Sequence, residues 1–224
     1  AYWKDANGLA AAIGHNIAAK TGRPVGILFL KSKKPIPLKN WFAPSFLKDA
    51  PSLIEDYKTV GSQYFDNPYY IANVRRYISE WQAYWEQHIP EMMETGSVPD
   101  GSSWGQIPSP KPQVADSTAT FEYNVYAHCF TPTSLSGILF LTGESMAGEG
   151  QGVHFGSEMS ALANSFKARF NLGKDEADIP FFYTMPNQTL SPNRTLPKGI
   201  RGQSTAVELE DWLELNSVFD EITK

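Results

Sequence analysis

Two spacings of apolar residues alternate along this chain, and each predicts a different element. Residues 135–141, LSGILFL, form a short and nearly continuous apolar run, the pattern of a strand buried on both faces of a parallel sheet. Thr142-Gly143-Glu144-Ser145 follows as a polar turn, and residues 148–152 as a Gly-rich loop. Phe155, Met159, Leu162, Phe166 and Phe170 then recur at three- and four-residue steps. That spacing places one apolar stripe on a helix, which Gly173 stops. Strand, polar turn and helix make half of a βαβ unit.

The same pattern predicts the remaining elements. Residues 25–30 and 179–184 read as two more buried-type strands. A first helix carries Leu9, Ile13 and Ile17 on one face, with Asp5 or Asn7 as its cap and Gly22 as its stop. Helices are predicted over 45–59 and 69–94, the second with Ile71, Val74, Ile78, Trp81 and Trp85 in its stripe. Residues 95–118, dominated by Pro, Gly and Ser, predict a long loop of the kind that serves function or wraps a surface. A further loop is expected over 185–202. Val207, Leu209, Trp212, Leu213, Leu215 and Val218 suggest a last helix. The order predicts a single α/β domain over residues 1–224, a three-layer parallel sheet flanked by helices.

Composition narrows the function classes. The net charge of −5 argues against a nucleic-acid partner. No apolar run reaches the length of a membrane span, and no signal peptide stands at Ala1. With Ala1 in place of an initiating Met, the chain is expected to be processed, excised from something longer, or incomplete. Cys129 is the single cysteine, which excludes an internal disulfide and a multi-cysteine metal site. It is expected as a small buried apolar residue. Lys31, Lys33, Lys34 and Lys39 lack a Gly-rich cradle or interleaved aromatics and read as a solvated loop rather than an anion site. Trp81 and Trp85, with Tyr77 and Tyr84, suit a sugar-stacking platform, although helix packing is the commoner use of this spacing. Asn187-Gln188-Thr189 and Asn193-Arg194-Thr195 fit the glycosylation acceptor pattern, which has meaning only in a eukaryotic secretory pathway.

Ligands of open α/β sheets bind at the carboxyl ends of the strands, so Gly143-Glu144-Ser145 is the candidate site. Gly143-Glu144-Ser145-Met146-Ala147 approximates the nucleophile elbow G-x-S-x-G, with Ser145 as nucleophile. Against the elbow stand the Gly-rich segment before the helix and the supply of bases, since His154 is the only histidine downstream. A metal reading starts from His154 and Glu158, at i and i+4 on one helical face, with Glu144 and Glu149 nearby. No third ligand completes a recognised spacing. No metal and no cofactor is therefore assigned.

Taken together, the blocks resemble a known family. Tyr123-Asn124, the segment from Gly137 to Ser145, and Phe155, Leu162, Phe166 and Lys167 are similar to the sialate O-acetylesterase-like branch of the SGNH (GDSL-type) hydrolases. The likeness extends to Ile179-Pro180-Phe181-Phe182 and, at the front, to Gly22-Arg23-Pro24-Val25-Gly26-Ile27. It implies a flavodoxin-like three-layer fold and a serine esterase that removes acetyl groups from sugars. Around the polar turn of residues 142–145 the candidate catalytic residues are Glu144 and Ser145, and the candidate substrate-binding residues are Thr142, Gly143, Asn124 and His154.

The chain departs from that family in four places. No G-Q-S-N-M nucleophile block precedes Ala10, and no D-x-x-H-like block follows Phe182. After residues 25–30, where the family has S-S-W-G-G, this chain has Lys31-Ser32-Lys33-Lys34-Pro35, and proline offers no amide proton. The family's Q-G-E-S-N becomes Thr142-Gly143-Glu144-Ser145-Met146. The expectation is an SGNH-like domain, catalytically incompetent as this chain, acting as a structural or glycan-binding module. Its first strand and carboxyl-terminal catalytic block would be missing from residues 1–224. The alternative is an active carbohydrate acetylesterase whose nucleophile and base lie outside those residues. Expected partners are a glycan or acetylated sugar, and a protein or the remainder of a longer chain. Export to the periplasm or beyond the cell is implied by the resemblance alone.

Overall fold

The computed structural model describes residues 8–32, 36–63, 67–96, 118–142, 152–173, 175–186, 188 and 191–208. Its centre is a parallel sheet of three strands, β1 (Ile138–Phe140), β2 (Phe181–Met185) and β3 (Ser204–Glu208), in that spatial order. Ile138 pairs with Phe181, and Phe181 with Ser204. The α/β class read from the sequence is the class observed.

Between β1 and β2 runs the long helix whose stripe the sequence predicted, Gly152–Arg169. Counting α1 (Gly8–Thr21), α2 (Ile54–Gly61), α3 (Pro68–Ala83) and α4 (Ile89–Thr95) before it, this helix is α5. It is buried on nearly all sides, at Phe155, Met159, Leu162 and Phe166 but also at Gly152, Gly156, Ser160 and Lys167. One side lies on the sheet, where Phe166 meets Phe140 edge-on at 6.0 Å and Phe140 stacks on Phe181 at 6.4 Å. Another side takes short 3-10 turns from residues 38–53. Trp41 packs against Phe140, the N–H of Ala43 donates to the Ser165 hydroxyl, and Arg169 donates to Ser45.

Those 3-10 turns replace the first half of the helix predicted over 45–59. Pro44 and Pro51 each open a new turn, and Ala50, just before Pro51, is extended at φ −106° and ψ 113°. Proline removes a donor and bars its predecessor from the helical region, so only α2 remains helical. The helix predicted over 69–94 is present as α3 and α4, joined by a wider turn, Tyr84–His88, in which the N–H of Ile89 reaches back to the Tyr84 carbonyl. Pro90 has no amide proton for Glu86, and the widened turn absorbs it.

One predicted strand is not a strand. Residues 26–30 and 137–141 share the pentapeptide GILFL, yet only the second lies in the sheet. Ile27, Leu28 and Phe29 are 36–43% exposed, against 8–9% for Ile138 and Phe140. Leu30 alone of the first copy packs against the core. A strand exists by bonding to a neighbour, and among the described residues no strand lies beside 26–30.

The reverse error concerns β3. Its five residues, STAVE, carry no apolar run, and Val207 belongs to this strand rather than to a last helix. The rest of that predicted helix, from Leu209 on, lies outside the described residues, as does most of the predicted loop 95–118. Among the described residues no helix is long and apolar enough to cross a membrane.

Candidate functional site at the carboxyl end of β1

Thr142 follows β1 by two residues and is buried. Its N–H donates to the Thr184 hydroxyl at 2.7 Å. Its own hydroxyl donates to the Thr184 carbonyl, and the Thr184 hydroxyl donates back to the Thr142 carbonyl at 3.0 Å. Each threonine hydroxyl has one proton, and both are used inside the pair. The β1–β2 ladder thus continues through side chains past the last paired residue of β1. Nothing in the apolar pattern singled out Thr184. The signal available was a lone hydroxyl in a buried strand, opposite a polar residue that had to be satisfied.

Of the other predicted site residues, Gly143, Glu144 and Ser145 lie outside the described residues. Asn124 sits in the helical turn Tyr123–Ala127, exposed, with its side-chain amide donating to the Thr120 hydroxyl at 3.2 Å. His154 is exposed on the first turn of α5, where its carbonyl accepts from Ser157. No hydrogen bond or ion pair among the described residues joins Thr142, Asn124 and His154. Among those residues, too, no serine hydroxyl or cysteine thiol is bonded to a histidine ring nitrogen. Thr131 approaches Nδ1 of His128 at 3.4 Å, but its proton also has the His128 carbonyl at 2.8 Å.

Glu158, the other half of the suggested metal pair, points away from solvent. Ser52 donates to its Oε1 at 2.6 Å. Burial, first of all, raises its pKa, while the Ser52 bond and the nearby His154 partly oppose that rise. Beside it Lys39 holds Asp56 at 2.9 Å, which gives one of the four loop lysines a structural partner. Among the described residues no group of three or more metal-ligating side chains forms.

One smaller expectation is corrected, and local geometry is seen at two other sequence features. Cys129 is exposed rather than buried. It lies in the short turn His128–Phe130, whose residues face outward. Trp81 and Trp85 stack on each other at 5.9 Å and 28°, so each indole covers part of its neighbour's face, and Trp85 remains 54% exposed. Thr195, the acceptor-pattern threonine, donates to the Val153 carbonyl at 2.9 Å and accepts from the Gly156 N–H at 3.0 Å. Thr195 therefore has a structural use at the start of α5.

No family model, curated protein or solved structure matches the chain.

Proposed function

We propose that this chain is a non-catalytic module of the sialate O-acetylesterase-like SGNH type, serving as a structural or glycan-binding unit. The observation that carries the reading is the closed Thr142–Thr184 pair. Acyl transfer needs a preorganised donor aimed at the developing oxyanion. The resemblance places a glutamine amide at position 142, and here a shorter hydroxyl stands there with its proton spent on β2. Loss of one such donor costs about two to three orders of magnitude in rate. A second support is the position of residues 26–30 outside the sheet. The Lys31-Ser32 turn is then not carried on a strand to the sheet's carboxyl end, where a second oxyanion donor would be needed.

On this reading the module works outside the cytoplasm, beside glycans, as the resembled family implies. The test is acetate release from O-acetylated sialosides, run beside binding of the same compounds by calorimetry. Binding without release is expected for a glycan-binding module, and neither for a purely structural one. Release that disappears in Ser145→Ala would overturn the proposal.

A further inference from the structure

The connection from β2 to β3 crosses α5 as an irregular strap, residues 191–203. Not one residue of that strap is buried, whereas Gly152, Gly156 and Lys167 beneath it are. Apart from Ile200, which is half-buried against the core, its hold is polar and comes at three places along the helix. At the first turn of α5, the Thr195 N–H donates to the Gly152 carbonyl at 2.9 Å, and the Thr195 hydroxyl bridges Val153 and Gly156. At mid-helix, Asn164 donates to the Gly199 carbonyl at 3.1 Å and accepts from the Arg201 N–H at 2.9 Å. Toward the end, the Lys167 ammonium donates to the carbonyls of Arg201 and Gln203.

Glycine makes the close approach possible. A Cβ on Gly156 would run into the Leu196 carbonyl, and one on Gly152 would lie 3.3 Å from the Arg194 backbone. The far end is fixed separately: Gly202, at φ +66°, backs onto Ala177, and the Gln203 carbonyl accepts from Phe181 at the start of β2.

We propose that residues 191–201 are a releasable strap that lifts from α5 as a unit while β1, α5 and β2 stay folded. Segments with little buried apolar surface and solvent-accessible hydrogen bonds open at lower free energy than the core, and this strap has both properties. Its polar groups find water when it lifts. Burial under it depresses the Lys167 pKa, so lifting also relieves a desolvated charge. The open form uncovers the Gly152–Gly156 face and frees the first turn of α5, the helix that follows β1 in the chain.

Amide hydrogen exchange on the whole chain tests this. The Thr195 and Arg201 amides, both bonded to α5, should exchange at least about tenfold faster than those of Phe181–Met185. In Gly156→Ala the strap amides should accelerate at least about tenfold again, with the β2 amides unchanged. Thr195→Val should reproduce the acceleration and Thr195→Ser should not, which keeps the test open if Gly156→Ala fails to fold. Exchange of strap and β2 amides in one cooperative event, or equal acceleration of both in the variants, would overturn the proposal.

Discussion

At Thr142 and Thr184 two small polar side chains decide what the end of the sheet can do. Their mutual bonds are buried, so removing one partner strands the other. Thr142→Val should lower unfolding free energy by about 1–3 kcal/mol, read by denaturant titration. The double variant Thr142→Val with Thr184→Val should cost less than the sum of the two singles. Glu158 is a residue of the opposite kind, an acid held where its charge is disfavoured. Its folded pKa is raised, so its contribution to stability is fullest below the unfolded value and is lost as pH rises through the folded one. Glu158→Gln keeps an oxygen for Ser52 and should melt higher than the parent at pH 7. The gap should close as pH falls below the ordinary glutamate value of about 4.3. A gap that persists at low pH would mean that the carboxylate is not the cause.

Elements show what local sequence can and cannot specify. The stripe of α5 was legible because a helix closes its own hydrogen bonds and needs only one apolar face to announce it. The proline-broken turns of 38–53 were marked by Pro44 and Pro51, and the predicted helix there failed because those prolines outweighed the stripe. Strands were less legible, since each depends on a partner distant in sequence. The two GILFL copies make this concrete, because Ile138 and Phe140 are buried in the sheet while their counterparts Ile27 and Phe29 are 38% and 43% exposed. Phe140→Ala should therefore cost about 3–5 kcal/mol by thermal or denaturant unfolding. Phe29→Ala should cost under about 1 kcal/mol. Equal losses would mean that 26–30 is core after all. β3 was hidden for the converse reason: STAVE is stabilised by five pairings with β2 and carries little apolar signal of its own.

At the scale of the whole molecule, the core of the described residues is a small parallel sheet whose central helix is enclosed by the sheet, by the 3-10 turns and by the strap. The strand, polar turn and helix read from residues 135–170 place position 142 at the sheet's carboxyl end, the place where chemistry was expected. The turn's meaning was not legible, because the use of the Thr142 hydroxyl depends on Thr184, 42 residues away. The most direct measurement is labelling of the intact chain with a fluorophosphonate that reacts with activated serines. The account predicts no adduct above the level of the Ser145→Ala variant. A stoichiometric adduct lost in Ser145→Ala would contradict it, and would show Ser145 to be a working nucleophile.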